Sequence, residues 1–206
     1  MTKQDLRDKV AVVTGAGKGM GKSIARTLAD SVSTVIINDL DLHSATQAAN
    51  EISNSTDAVV VTEIGDVSDE SFVTKMFGRI TEEFGGCDIL VNNAGVLRPT
   101  NIEDISLEEW DFVVNGNLRT TFLCSKAVIP LMKEKGWGRI INISSSAGKN
   151  VSTIGGPHYT SAKAAVLGLT RHIAKVLAEY GITVNSVCPG LIDTCLLYTS
   201  PSPRDQ

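Results

Sequence analysis

The chain has 206 residues, 42% of them hydrophobic and 20% charged, with a formal net charge of −4 at pH 7. That length suits one domain with a sizeable core. Acidic and basic residues are mixed, without the basic run that marks a nucleic-acid partner, and no apolar run approaches a membrane span. The segment Met1 to Lys9 is charged and lacks the apolar stretch of a secretory signal. Cys87, Cys124, Cys188 and Cys195 are far apart and form no C-x-x-C pair. No metal site or disulfide framework is therefore expected, and a reducing cytoplasm fits. These thiols read as buried or incidental rather than catalytic.

From Val10 onward, short apolar runs alternate with helical patterns. Val10 to Val13 is the first, and it ends in glycines. Val35 to Ile37, Val59 to Val61, Ile89 to Val91, Ile140 to Ile143 and Ile182 to Val184 repeat the type. β-Branched runs without polar alternation predict strands covered on both faces, as in a parallel sheet. Helices are predicted over Gly21 to Asp30, Leu42 to Ser53 and Ser68 to Phe84. Ser106-Leu107-Glu108-Glu109 reads as a capping box opening a long helix toward Lys133. A last helix spans Pro157 to Tyr180. Repeated strand–helix units predict a single α/β domain with a doubly wound, Rossmann-type parallel sheet and right-handed crossovers. After Thr194 the alternation stops, and Pro201 and Pro203 break any regular element.

Thr14-Gly15-Ala16-Gly17-Lys18-Gly19-Met20-Gly21 follows the first strand directly. Glycines there allow a sharp turn and bring backbone amides close to a pyrophosphate, and the next helix points its positive end at the same place. A tight strand–helix turn alone would also use such a cluster; its position in a βαβ unit favours a dinucleotide. The second strand ends at Asp39. A carboxylate there can accept from both adenosine-ribose hydroxyls and repel a 2′-phosphate, which favours NAD over NADP. The competing reading is a turn or N-cap aspartate. Lys18 pulls toward NADP, but a flexible lysine can swing into solvent, so Asp39 weighs more.

Further motifs follow in order: Asp66-Val67 after the third strand, Asn92-Asn93-Ala94-Gly95 after the fourth, Asn115-Gly116-Asn117-Leu118 in the long helix, Ser144-Ser145-Ser146 after the fifth strand, Tyr159-x-x-x-Lys163, and Pro189-Gly190 with Thr194 four residues on. Together with Thr-Gly-x-x-x-Gly-x-Gly, this succession over Lys9 to Thr194 resembles the short-chain dehydrogenase/reductase family. The resemblance implies hydride transfer between a nicotinamide cofactor (NAD, with NADP possible) and a secondary alcohol or ketone. It also implies that Gly15, Lys18, Gly19, Met20, Gly21, Asp39, Asp66, Val67, Asn93, Ala94 and Gly95 contact the nucleotide. Pro189, Gly190, Ile192 and Thr194, with Tyr159 and Lys163, would face its nicotinamide half.

Tyr159 and Lys163 lie one helical turn apart and share a face. A phenol titrates near ~10, and a neighbouring ammonium is expected to lower that value and let Tyr159 exchange a proton at neutrality. Taken alone, such a pair is more often structural. Ser145 is expected to hold the substrate oxygen. It stands two residues before Ala147-Gly148, as the family's serine does, with Ser146 as the alternative because the gap to Tyr159 is one residue longer than usual. Asn117 resembles the helix asparagine that holds a relay water, with a polar residue at a helix kink as the plain reading. Asn115 is its nearby alternative. His158 reads as packing, since adjacent helical residues diverge; His43, His172, Trp110 and Trp137 carry no expected role.

The uninterrupted match resembles 3-oxoacyl-acyl-carrier-protein reductases and related alcohol dehydrogenases. Asp39 favours the NAD-linked dehydrogenase, with the NADPH-using reductase of an acyl thioester as the alternative and a non-catalytic nucleotide-binding regulator as the alternative of another class. Family members run on by roughly fifty residues and often form homotetramers. Residues 195–206 are thus expected to be a non-native tail, a short divergent C-terminus being the alternative. The chain is expected to lack its lid and last strand, to leave the strand from Ile182 as an open sheet edge, and to be poorly soluble and weak or inactive as written.

Overall fold

β-Branched residues pack well on a pleated surface that is covered from both sides, and the apolar runs form six parallel strands. They are β1 (Val10–Thr14), β2 (Thr34–Asp39), β3 (Val59–Ile64), β4 (Ile89–Asn92), β5 (Gly138–Ile143) and β6 (Ile182–Val187). A computed structural model describes residues 6–191, within which the strands form one sheet in the order β3-β2-β1-β4-β5-β6. This is the expected Rossmann-type arrangement. The winding reverses between β1 and β4, so a crevice opens at the carboxyl ends of that pair. Ile192, Thr194, Cys195 and the tail to residue 206 lie outside the described residues.

The helices are α1 (Gly19–Ala29), α2 (Leu42–Ser53), α3 (Glu70–Phe84), α4 (Leu107–Val114), α5 (Thr120–Lys135) and α6 (Pro157–Leu177). Helix α2 has the expected bounds. Helix α1 starts two residues early, inside the glycine turn. Helix α3 starts two residues late, because Asp69 caps it by accepting from the Ser71 amide. The single helix expected from Ser106 toward Lys133 is instead divided by a π-helical turn, Asn115–Arg119. There the Asn117 side-chain amide donates to the Val113 carbonyl at 2.8 Å, taking an acceptor the backbone ladder would otherwise use, and is held in that place by also donating to the Val96 carbonyl.

Alternate strand residues face opposite layers. Val12, Leu90 and Ile140 pack with Met76 of α3, Met132 of α5 and Leu177 of α6. Val13, Val35 and Ile37 pack with Ala25 of α1 and with Ala45 and Ile52 of α2. Small alanines let α1 and α2 lie close to the strands that carry the glycine turn and Asp39. Among the described residues strand β6 stands at one end of the sheet, and one of its faces, with Thr183, Asn185 and Val187, is exposed. Among the described residues no helix is long and apolar enough to cross a membrane.

Candidate active site

A cleft of about 560 Å³ crosses the carboxyl ends of the strands. Every site residue expected from the sequence and lying within the described residues lines it. Asp39, Asp66 and Val67 stand at one end, Gly15, Lys18, Gly19, Met20 and Gly21 with Asn93, Ala94 and Gly95 along the middle, and Asn117, Ser145, Tyr159, Lys163, Pro189 and Gly190 at the other.

In the middle, Gly15 and Gly19 take φ values of +60° and +56°, where a Cβ is strained, so the turn requires glycine there. Asp39 does two things. Its Oδ2 accepts from the Gly17 amide at 2.8 Å and its Oδ1 from the Asp41 amide at 3.1 Å, while the carboxylate borders the cleft. The turn-holding and cleft-facing readings therefore coexist, and the N-cap of α2 is Asp41, which accepts from the His43 amide. Lys18 occupies the N-cap position of α1 without a side-chain cap bond, so no side chain closes off the first amides of that helix. The Thr14 hydroxyl accepts from the Asn93 and Ala94 amides, both at 3.0 Å, and Asn93 Nδ2 donates to the Thr14 and Gly15 carbonyls. These four bonds fasten the end of β1 to the end of β4. Asp66 accepts from the Ser68 amide at 2.7 Å in the turn entering α3.

At the far end, Tyr159 and Lys163 project from the first two turns of α6. Lys163 is 4% exposed. Its Nζ donates to the Ile143 carbonyl at 2.9 Å and lies 5.7 Å from the Tyr159 ring centre. Ser145 Oγ accepts from the Ala147 amide at 3.1 Å and lines the cleft together with Tyr159. Its neighbours are used elsewhere: Ser144 donates to the Lys163 carbonyl at 2.8 Å, and the Ser146 amide donates to the Pro189 carbonyl at 2.8 Å. Of the three serines, Ser145 is the one that draws the titration of the Tyr159 phenol down, against the effect of burial. In the loop before Tyr159, Ser152 Oγ accepts from the Ile154 and Gly155 amides. Asn117 is fully buried. Its Nδ2 donates to the carbonyls of Val96 at 2.7 Å and Val113 at 2.8 Å, and its Oδ1 has no partner among the described residues. A Cβ on Gly95 would stand 2.7 Å from that oxygen and 3.4 Å from Lys163 Nζ, so both groups face one small space above Gly95.

Burial holds the Lys163 ammonium down, to about 8. Burial also raises the Tyr159 phenol above its usual value, and neighbouring Ser145 only partly offsets this. The expectation that Lys163 lowers the phenol is not met in the protein by itself: desolvation of a phenolate outweighs an ammonium that is not in direct contact.

The model of the short chain dehydrogenase family matches residues 9–204. The chain belongs to this family. As a short-chain dehydrogenase it is an oxidoreductase, and that family generally uses NAD(P) cofactors. It is 40% identical over 190 residues to a D-beta-hydroxybutyrate dehydrogenase of Rhizobium meliloti, spanning 92% of this chain and 73% of that one. It is 41% identical over 191 residues to a 3-oxoacyl-[acyl-carrier-protein] reductase of Synechocystis, covering 92% and 76%. A crystal structure of a short-chain dehydrogenase/reductase from Burkholderia xenovorans superposes with a TM-score of 0.90 at 34% identity, covering 96% of this chain and 77% of that one.

The residues of this dehydrogenase fit a nicotinamide dinucleotide. The glycine turn leaves room for a pyrophosphate beside uncapped amides of α1, and the unpartnered Asn117 oxygen and the Lys163 ammonium face the space over Gly95. Sequence reasoning missed Thr14 as the fastener of β1 to β4; its hydroxyl directly before Gly15 was the available signal. It also missed the apolar wall of Val96, Leu97, Phe112, Val151 and Ile154. No sequence signal marks those positions, which come together only through folding. Cys87 and Cys124 are free and buried, and burial raises both thiols, Cys124 to about 12, which suits inert packing.

Proposed function

We propose that this chain carries the site of an NAD-linked dehydrogenase of a secondary alcohol, or reductase of the matching ketone, with Tyr159 as the proton donor and acceptor. The observation that carries the reading is the gathering of Ser145 and Tyr159 on one cleft with the buried Lys163 behind them, its Nζ 5.7 Å from the Tyr159 ring centre. Ser145 holds the substrate oxygen against the phenol, so that proton transfer needs no further search. Tyr159 keeps its proton at neutral pH, which suits the reducing direction: the phenol delivers the proton as the carbonyl oxygen gains charge. Lys163, fixed by the Ile143 carbonyl, supplies a cation that favours the phenolate left behind. Asn117 Oδ1 faces the same space as the ammonium and can hold a water that passes a proton to Lys163. A bound nicotinamide dinucleotide supplies the hydride donor or acceptor.

Asp39, held at the cleft edge by two amides, favours NAD because a 2′-phosphate there would meet a fixed carboxylate. Titration of binding with NADH and NADPH tests this, and tighter NADPH binding would overturn it. The apolar wall of Val96, Leu97, Phe112, Val151 and Ile154 supports a small substrate with an apolar face. Exposed Leu107 and Phe122, on α4 and α5, support assembly of identical copies through these helices. The free thiols support a reducing, cytoplasmic setting.

The deciding experiment replaces Tyr159 by Phe. Turnover is expected to fall by about 10²–10⁴-fold, with dinucleotide affinity kept. Unchanged turnover would exclude Tyr159 as the proton donor.

A further inference from the structure

His158 is fully buried beside the proposed proton donor, yet no step described so far uses it. Its Nδ1 accepts from the Tyr159 backbone amide at 3.0 Å, and its Nε2 stands 3.0 Å from Glu109 Oε1 on α4. These contacts decide the tautomer. An amide can only donate, so Nδ1 carries no hydrogen. The carboxylate of Glu109 is held below the usual range by bonds from Thr100 and His158, so it is ionised and can only accept; Nε2 therefore carries the hydrogen and donates. Helix α6 begins at Pro157, and its N-cap residue, Gly156, has no side chain to cap it. The imidazole fills that role from inside the first turn, satisfying an amide the helix leaves open.

The connections extend further. Gly156 donates its amide to the Arg98 carbonyl at 2.7 Å. A Cβ on Gly156 would stand 2.5 Å from the Thr100 carbonyl oxygen and 2.7 Å from His158 Cε1, so the loop after β4 is seated directly on the helix start. The Trp110 ring covers the imidazole at 6.4 Å between centres. Three segments thus meet at His158: the loop from Arg98 to Thr100, the first turn of α4, and the first turn of α6 that carries Tyr159.

We infer that His158, anchored by Glu109, is a positioning residue that sets the phenol of Tyr159 against Ser145. This rests on the proposed role of Tyr159 and adds to it the part that aims the phenol. The side chain touches neither the cleft nor the reacting atoms; it acts by fixing the backbone from which Tyr159 projects. A shift of the first turn of α6 would move the phenol away from Ser145 while leaving the glycine turn and Asp39 untouched.

The test compares His158→Leu, His158→Asn and Glu109→Ala with the parent chain. Each is first checked for folding by circular dichroism. The readout is the ultraviolet titration of the Tyr159 phenol, isolated by subtracting the titration of Tyr159→Phe, and it needs no turnover. His158→Leu loses both bonds, and its phenol should titrate lower, toward a free tyrosine, as it leaves its buried seat. Glu109→Ala should shift part of the way. His158→Asn keeps an acceptor for the Tyr159 amide and should stay near the parent. With NADH and a ketone, kcat should fall about ten- to a hundredfold in His158→Leu, and NADH affinity should be kept. A folded His158→Leu whose phenol titrates as in the parent would overturn the inference, and so would His158→Asn moving as far as His158→Leu. If His158→Leu does not fold, Glu109→Ala decides: a phenol titration unmoved from the parent overturns the inference. Failure of the Tyr159 role would show separately, as turnover retained in Tyr159→Phe.

Discussion

An ammonium that is 4% exposed, with one carbonyl bond at 2.9 Å, is costly to keep charged inside a protein. Lys163 titrates at about 8 in the folded chain and at the ordinary 10.5 when unfolded. Between those values the unfolded chain holds a proton that the folded chain has released, so stability rises with pH across that window. Lys163→Met removes this dependence. At pH 7 the variant should be more stable than the parent by about 2–3 kcal/mol, and the difference should shrink by pH 9.5. Urea unfolding at the two pH values checks this, and an equal difference at both would contradict it. Tyr159, raised by burial, has the opposite sign, but its effect sets in only near its ordinary value of ~10, at the top of the window and above the pH 9.5 used in the comparison. That Tyr159 and Lys163 share a face was legible in the sequence because one helical turn separates them; the roles expected of them rested on the resemblance. The choice of Ser145 over Ser146 rested on resemblance, and the pairing of Ser145 with the phenol needs the loop from Asn150 to Gly156 in place. His158 read as packing, which it is; its two polar partners come from an adjacent backbone amide and from Glu109, 49 residues away, and spacing shows only the first.

At the level of elements, the strands were legible because burial on both faces leaves an unbroken β-branched run, as in β1 and β2. Strand β3, at the sheet edge, carries the same run at Val59 to Val61 but is only partly buried along most of its length. A centre–edge contrast follows. Leu90→Ala in β4, at 0% exposure, should cost about 3 kcal/mol. Val59→Ala in β3, at 53% exposure, should cost about 1 kcal/mol or less. Denaturant midpoints measure both, and equal losses would contradict the placement of β4 at the centre. The π-helical turn was not legible: it depends on Asn117 reaching the Val96 carbonyl, a contact across 21 residues. The capping box formed only by half. The Ser106 hydroxyl accepts from the Glu109 amide at 3.1 Å, but the Glu109 carboxylate turns to His158. A helix-end motif has been diverted into a tertiary contact.

For the molecule as a whole, one reversal of winding places the glycine turn, Asp39, the Asn117–Lys163 space and Tyr159 along a single cleft, drawn from residues that span most of the chain. The order of motifs foretold that convergence, because all but the Asn117 segment fall at the end of a strand or at a helix start. The apolar wall around Phe112 and Ile154 was not foretold, since loops meet there without a periodic signal. The central claim is that a buried phenol, protonated at rest, gives up its proton as hydride moves. The pH dependence of kcat/KM in both directions tests it most directly. Carbonyl reduction should hold level through neutral pH and fall at alkaline pH, while alcohol oxidation rises over the same range, and Tyr159→Phe should abolish both trends. Rates in the two directions that change together with pH, or trends that persist in Tyr159→Phe, would contradict the account.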